Sequence, residues 1–293
     1  MCIKNKNMKR LFITFFILIM TITLYSQNNQ NQSNCNPLIQ LNTFYESMIL
    51  YRPVIKSDQK LIKYNMNNFL LYHHLGFGDH IAMNGLIRYL YKIKNFNFFY
   101  LFVKLHNYKN VNFMFKDLKK LKLIQVYNDE EALNKFKKFK GEKIKNIIYD
   151  TNKYYKYGDD IFYLNLNLNP KIRFDNFYIE RNIQKEKEIY NKLTLNIPDK
   201  KYIFIHDDKK RNYNIDIKRH NIKLPIIYND YYIDFFDMIY TIEKSQKCYM
   251  ITSSFISYII HSGLYKKKEI YVDNKARKVD FKDYLIKYNI KIV

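Results

Sequence analysis

Short apolar runs alternate with longer amphipathic segments along most of the chain after residue 60. In the first half of this region the predicted strands are residues 68–74, 98–103, 123–127 and 144–149, and the predicted helices are residues 81–94 and 130–139. Strands that alternate with helices in this way predict a mainly parallel sheet covered by helices.

The alternation resumes after a charged helix at residues 183–193. Its predicted strands are residues 202–205, 225–228, 248–251 and 269–272, and its predicted helices are residues 233–244 and 254–262. The closing residues 280–293 are expected to form a helix that crosses back to the first half. We therefore predict an α/β fold with two Rossmann-like domains, residues 61–182 and 183–293, that face a cleft.

The N-terminus has the pattern of a membrane-targeting segment. Residues 1–10 contain 4 basic side chains and precede an uncharged apolar run at residues 11–25. The positive-inside rule places residues 1–10 in the cytosol and the remainder across the membrane. The run fits either a short signal-anchor, giving a single-pass type II membrane protein with a lumenal domain, or the signal peptide of a secreted chain. Residues 26–60 then form a stem, which carries a glycosylation acceptor at Asn31.

The amino-acid composition alters the functional interpretation less than the high net charge suggests. The formal net charge of +23 invites a nucleic-acid or anionic-surface function. However, the lysines are spread along the chain, and the abundant Asn, Ile, Tyr and Phe share A/T-rich codons with lysine. We therefore attribute the charge mainly to codon bias and expect no specific nucleic-acid partner. Cys2, Cys35 and Cys248 have no metal-ligand spacing.

The glycine-containing turn after the first strand is the most informative local feature. Residues 69–81 read FLLYHHLGFGDHI, although the chain has only 6 glycines. Gly76 and Gly78 permit positive φ angles and a close approach to a ligand, and the following helix presents free N–H groups to an anion. The turn is therefore either a phosphate or sugar-phosphate site or a structural strand-to-helix turn. His74 and His80 flank it.

Two further polar clusters follow predicted strands. Residues 206–211 read HDDKKR after the strand at 202–205, and residues 252–255 read TSSF after the strand at 248–251. Because parallel sheets bind ligands outside the carboxyl ends of their strands, all three clusters are candidates for one site.

The clusters together resemble a known enzyme class. Residues 74–81, with residues 84–88 on the next helix, resemble the Gly-Asp turn of GT-B glycosyltransferases of the heptosyltransferase type. The loop at 206–211 and the Ser-Ser-Phe segment at 253–255 look like the donor half of fucosyltransferase-like GT-B enzymes. The resemblance implies transfer of a sugar from a nucleotide-sugar donor to a glycan, a glycoprotein or another hydroxyl acceptor. The family loop often reads His-x-Arg-x-x-Asp, so the arginine of this chain stands at a different position.

The resemblance also implies roles for individual residues. Asp79 matches the general base of the family, although an aspartate at a helix start after a glycine turn often caps free N–H groups instead. His80 and His74 are expected to assist Asp79 or to orient the acceptor, and His261 is interpreted as a packing residue. The expected donor-binding residues are His206, Lys209, Arg211, Ser253, Ser254 and Phe255. The polar members of this set also have structural interpretations: a solvated basic loop for Lys209 and Arg211, a helix cap for the two serines, and a structural hydrogen-bond partner for His206.

We expect no metal and no further cofactor. The adjacent pairs Asp159-Asp160 and Asp207-Asp208 are not the Asp-x-Asp motif of GT-A enzymes, and no histidine pair has zinc spacing. Two alternatives to a transferase stay open. One is a non-catalytic binder of glycans or phosphorylated ligands on the same scaffold, and the other is a generic basic nucleic-acid or anionic-surface binder.

Overall fold

The computed structural model describes residues 67–293, apart from the side chain of residue 151. The predicted segments at residues 1–10, 11–25 and 26–60, with the acceptor Asn31, lie outside the described residues. Within residues 67–293, no helix combines the length and the apolar character needed to cross a membrane.

The first sheet has four parallel strands in the order β3-β2-β1-β4. They are β1 (Phe69–His73), β2 (Phe99–Lys104), β3 (Leu121–Val126) and β4 (Glu142–Asn146). The accompanying helices are α1 (Phe77–Ala82), α2 (Asn84–Ile93), α3 (Tyr108–Met114), α4 (Asp129–Lys138), α5 (Thr151–Tyr157), α6 (Ile161–Leu164) and α7 (Ile172–Asn176). Short 3₁₀ turns lie at Leu105–Asn107 and Gly158–Asp160.

The second sheet has five parallel strands in the order β6-β5-β7-β8-β9. They are β5 (Ile203–His206), β6 (Ile226–Tyr228), β7 (Lys247–Met250), β8 (Glu269–Val272) and β9 (Lys291–Ile292). The helices are α8 (Ile183–Leu193), α9 (Ile239–Lys244), α10 (Ser254–His261) and α11 (Lys282–Lys287). Further 3₁₀ turns lie at Pro198–Lys200, Lys209–Arg211, Phe235–Met238 and Leu264–Lys266.

Both sheets are buried on two faces, as the continuous apolar runs in their central strands predict. In β1, Phe69 and Leu71 join one core cluster, whereas Leu70 and Tyr72 join another on the opposite face. The larger cluster also contains Phe204 of β5, so one apolar core extends from the first sheet to the second. The α/β class with parallel sheets and the eight predicted strands are confirmed, since β1 to β8 each overlap a predicted strand.

Two predicted helices differ from the observed elements in where they begin or break. The helix expected at 81–94 begins at Phe77 and is divided at Met83. Asn84, directly after the break, exchanges two hydrogen bonds with the backbone of Tyr178. The helix expected at 233–244 starts with a 3₁₀ turn at Phe235–Met238.

The closing residues form a helix and a strand, so a single helix at 280–293 was the wrong prediction. Asn289 has a φ of 54°, which ends α11 and turns the chain into β9. The expectation that this segment returns to the first half agrees with the contact of α11 with α5.

Arg173 of α7 ties the first half to this closing segment. It is fully buried, forms an ion pair with Asp160, and donates a hydrogen bond of 2.8 Å to the hydroxyl of Tyr284. Lys287 of α11 also contacts Asp160, at 2.8 Å. Removal of one partner from a buried ion pair leaves an uncompensated charge in the core.

We predict that Arg173→Met lowers the free energy of unfolding by about 3 kcal/mol, because the Asp160 carboxylate loses its buried partner. Urea unfolding of the full chain measures the change. The matched control is Lys291→Met, which removes an exposed lysine that is 3.1 Å from Glu269. Exposed pairs contribute little to stability, because both charges stay solvated. Equal losses in the two variants would contradict an anchoring role for Arg173.

Candidate functional site

A cavity of about 680 Å³ lies at the carboxyl ends of strands from both sheets. Its lining comes from segments that follow β1, β2 and β4 in the first sheet and β5 to β8 in the second. The strand order reverses beside β1 and beside β5. Parallel α/β sheets bind ligands at such switch points. The cavity therefore occupies the position where either sheet would bind a ligand.

Most of the predicted site residues line this one cavity. They are Gly76, Gly78, Asp79, His206, Arg211, Ser253, Ser254 and Phe255. The other predicted residues, His74, His80 and Lys209, are not among its lining residues.

The two glycines serve close packing rather than unusual backbone angles. Gly76 has a φ of −70°, so the positive φ expected for a phosphate loop is wrong at this position. A Cβ atom at Gly76 would lie 2.5 Å from Oδ2 of Asp79, and one at Gly78 would lie 3.3 Å from Oγ of Ser257 in α10. Gly76 therefore leaves room for the Asp79 carboxyl group, and Gly78 lets α1 and α10 approach each other.

Asp79 lies in the first turn of α1, where its carboxylate has the capping role that its sequence position allowed. Gly76 is the N-cap residue, and the Asp79 carboxylate accepts a hydrogen bond from the Gly76 backbone N–H. Burial, with a contribution from the charge of Asp159, raises the pKa of Asp79 to about 7. A carboxyl group with a pKa near neutrality is suited to general base chemistry. The carboxylate of Asp79 itself occupies the N-terminus of α1, where the sequence analysis considered an anionic ligand.

His80 and His74 are the two predicted histidines that do not line the cavity. His80 is fully buried with its ring 4.6 Å from that of His73, and burial lowers its pKa well below the ordinary value. Nε2 of His74 accepts a hydrogen bond of 2.9 Å from the backbone N–H of Ile148. Neither ring is among the residues that line the cavity, so the prediction that His80 or His74 orients the acceptor is not supported by their positions.

His206, at the end of β5, lines the cavity as predicted. It is 8 % exposed, and its ring lies 4.7 Å from that of Phe255. Burial lowers its pKa to about 4, so the imidazole is neutral at physiological pH. Within the described part of the chain, its Nδ1 atom has no hydrogen-bond partner. His206 therefore contributes a neutral side chain to the cavity lining.

The basic loop after β5 places only one of its two predicted cations at the cavity. Arg211 lines the cavity, and its Nε donates a hydrogen bond of 2.5 Å to Oδ2 of Asp208. Lys209 instead lies over the ring of Tyr228, at 4.5 Å from the ring centroid. The prediction that Lys209 holds a ligand phosphate is therefore not supported by its position.

The start of α10 is the third predicted cluster. Ser253 is the N-cap residue, and its hydroxyl accepts a hydrogen bond of 3.2 Å from the backbone N–H of Phe255. The first N–H groups of any α-helix lack intrahelical acceptors and lie at its positive end. Because Ser253 and Ser254 line the cavity, this eight-residue helix directs that positive end into it.

Arg277, Asp159 and Tyr154 are cavity residues that the sequence interpretation missed. Arg277 follows β8, and its guanidinium donates to the carbonyl oxygen of Thr252. It also lies over the ring of Tyr213, 5.2 Å from the centroid. The strand-end rule applied to β8, as to β5 and β7, would have identified Arg277. Nothing in the local sequence identifies Tyr154 or Asp159 as a cavity residue. Tyr154 lies within α5, and Asp159 lies in the 3₁₀ turn that follows this helix.

Comparison of the chain with protein-family models, with curated proteins and with solved structures found no match. Within the described range 67–293, no group of three or more His, Cys, Asp or Glu side chains is arranged to hold a metal ion.

We predict that the Asp79→Asn variant has a higher free energy of unfolding than wild type, and that this difference grows as the pH rises. The folded-state pKa of Asp79 is about 7, above its unfolded value, so the wild type loses stability between about pH 4 and about pH 7. Asn mimics the protonated form and still accepts the Gly76 N–H. The difference between the two proteins should reach about 2–4 kcal/mol near pH 8 in urea unfolding. A difference independent of pH would show that Asp79 titrates normally.

Proposed function

We propose that this protein is a metal-independent glycosyltransferase that moves a sugar from a nucleotide-sugar donor to a hydroxyl acceptor. One observation carries the proposal: Asp79, Arg211 and Arg277 line the same cavity although they are far apart in sequence. A base and cations in one cavity are what glycosyl transfer requires, because a proton leaves the acceptor while negative charge develops on the departing diphosphate.

The proposed architecture is GT-B-like, with an acceptor domain at residues 61–182 and a nucleotide-sugar domain at residues 183–293. It is supported by two parallel sheets whose carboxyl ends contribute to one cavity. The first sheet supplies Asp79 to the cavity, and the second supplies the residues with affinity for anions.

In the proposed reaction, the Asp79 carboxylate takes the proton of the acceptor hydroxyl. The freed oxygen forms a bond to the anomeric carbon of the donor sugar, and the bond from that carbon to the diphosphate oxygen breaks. The electron pair of the broken bond stays with the diphosphate. Because the base has a pKa of about 7, it is largely ionised just above neutral pH and still basic enough to accept a proton.

The proposed donor subsite combines two guanidinium groups with the start of α10. Arg211 and Arg277 offer planar forks of N–H donors, which suit phosphate oxygens. Ser253 and Ser254 add the helix N–H groups, and neutral His206 adds a hydrogen bond without a charge. We retain Phe255 in this subsite as a packing surface beside His206.

The proposed setting follows the N-terminal pattern of the sequence. The enzyme would be held at the membrane by residues 11–25, or secreted after their removal, and would act on glycans or glycoproteins outside the cytosol. The high net charge of +23 favours acidic ligands in general. Tests of the donor site must therefore separate nucleotide recognition from general attraction of anions.

We predict that Asp79→Asn lowers the rate of sugar transfer by about 10²–10⁴-fold, because the general base is lost. Binding of the nucleotide diphosphate should be unchanged, since the donor subsite lies on the second sheet. Glu130→Gln, which neutralises an exposed carboxylate in α4, is the matched control and should retain activity. Transfer by Asp79→Asn within a few-fold of wild type would refute the assignment of the base.

We also predict that one of GDP, UDP and ADP selectively raises the melting temperature of the full chain, since a ligand that binds only the folded state stabilises it. Arg277→Ala should weaken binding of that nucleotide by about 10- to 100-fold, because a charge-assisted hydrogen bond is lost. The matched control is Lys278→Ala, whose side chain is 87 % exposed in the same loop.

Inorganic pyrophosphate and added salt serve as the controls for general attraction of anions in this experiment. Equal stabilisation by every polyanion, with equal effects of the two substitutions, would favour a generic basic surface and contradict a nucleotide site. Selective nucleotide binding without transfer of any sugar would identify a non-catalytic binding protein.

A further inference from the structure

The carboxylate of Asp159 is fixed at the cavity by a buried histidine. Its side chain is 11 % exposed, and Oδ2 accepts a hydrogen bond of 3.0 Å from Nε2 of His261. His261 ends α10, is fully buried, and lies parallel to the ring of Phe177 at 6.3 Å. The sequence interpretation of His261 as a packing residue therefore covers only part of its contacts.

The 3₁₀ turn that contains Asp159 is held in place through the residues before and after it, Gly158 and Asp160. Gly158 has a φ of 52°, and a Cβ atom there would lie 2.4 Å from the ring of Tyr284. Asp160 contacts both Arg173 and Lys287. With its two neighbours fixed in this way, Asp159 has little freedom to move its carboxylate away from the cavity.

The hydrogen bond from His261 holds Asp159 without adding a positive charge. Burial lowers the pKa of His261, and this effect outweighs the opposing influence of Asp159. The imidazole is therefore neutral at physiological pH and donates a hydrogen bond as an uncharged ring. A carboxylate bound by a neutral donor continues to repel a second negative charge nearby.

Asp159 and Asp79 lie close enough to influence the same groups. Both line the cavity, and the charges of both contribute to raising the pKa of Tyr154. Asp159 is the largest charged influence on Asp79, whereas Lys104 at the end of β2 opposes it and Asp129 at the start of α4 adds a smaller repulsion.

Uncharged groups also lie beside Asp79 in its own turn and on the buried side of α1. The Gly76 N–H donates to its carboxylate from the same turn. Behind α1, burial keeps the rings of His73 and His80 neutral by lowering their pKa values. The fixed charge of Asp159 is thus the main electrostatic influence on Asp79 from outside its own helix.

We propose that Asp159 is a positioning residue for the transfer reaction: held by His261, its fixed negative charge makes Asp79 a stronger base for the acceptor proton. This inference rests on the proposed function. In the step concerned, the proton moves from the acceptor hydroxyl to the Asp79 carboxylate, and Asp159 keeps its negative charge throughout. Repulsion between the two carboxylates is relieved as Asp79 becomes neutral, which favours the proton transfer.

The experiment measures the protonation of Asp79 directly. The full chain is labelled with ¹³C at the aspartate side-chain carboxyl carbons, and the NMR signal that disappears in Asp79→Asn is assigned to Asp79. Its titration midpoint is then compared in wild type and Asp159→Asn. We expect the midpoint to fall by about one pH unit in the variant, since one repelling charge is removed.

Two further variants act as controls for this measurement. Asp159→Glu keeps the charge and should keep the midpoint near the wild-type value. Asp208→Asn removes a different cavity carboxylate, one that pairs with Arg211, and should leave the midpoint of Asp79 unchanged. If Asp159→Asn does not fold, Asp159→Ser removes the same charge and leaves an oxygen for His261. An Asp79 midpoint unaltered by loss of the Asp159 charge would overturn the proposal.

A pH profile of transfer separates this inference from the proposed function. In Asp159→Asn, the acidic limb of kcat/KM should move to lower pH by the same amount as the Asp79 midpoint, with a lower maximum. A shifted midpoint together with an unshifted acidic limb would overturn the role of Asp159 in the reaction. Wild-type protein that transfers no sugar would refute the proposed function itself, whatever the titration of Asp79 shows.

Discussion

The close contact between α1 and α10 is the constraint on which the cavity depends. Gly78 has no side chain, and a Cβ atom there would lie 3.3 Å from Ser257. This approach brings the segment after β1, with Asp79, beside the segment after β7, with Ser253. Phe77 of α1 packs against Phe235, with ring centroids 4.8 Å apart, and Phe235 in turn stacks on Phe255 of α10 at 4.3 Å. Two separate sheet edges thereby contribute to one cavity.

Burial governs the electrostatics around this cavity more than the high net charge does. It keeps His206 and His80 neutral and raises the pKa of Asp79 to about 7. The surface lysines that dominate the formal charge are exposed and solvated, whereas the arginines at the cavity are held by specific partners. Arg211 pairs with Asp208, and Arg277 donates to a backbone carbonyl. Overall charge is therefore a poor guide to the chemistry of this site.

The sequence predicted the strands well because parallel strands buried on both faces are continuous apolar runs. Helix boundaries were less predictable where side chains of the helix bond to distant segments. Asn84 bonds to Tyr178, and the helix divides just before it. The pattern also placed Lys209 at the site because it follows a strand, but a nearby aromatic ring holds it elsewhere.

By itself, the sequence determined the α/β class and which strand ends carry polar clusters, because apolar periodicity and turn residues are local properties. Tertiary structure alone decided which clusters meet, that Asp159 and Arg277 join them, and that His80 does not. The direction in which a side chain points depends on packing between segments that are distant in sequence, such as α10 against α1 and His261 against Asp159. Local pattern contains no information about such contacts, since the same residues remain compatible with many arrangements until the core is packed.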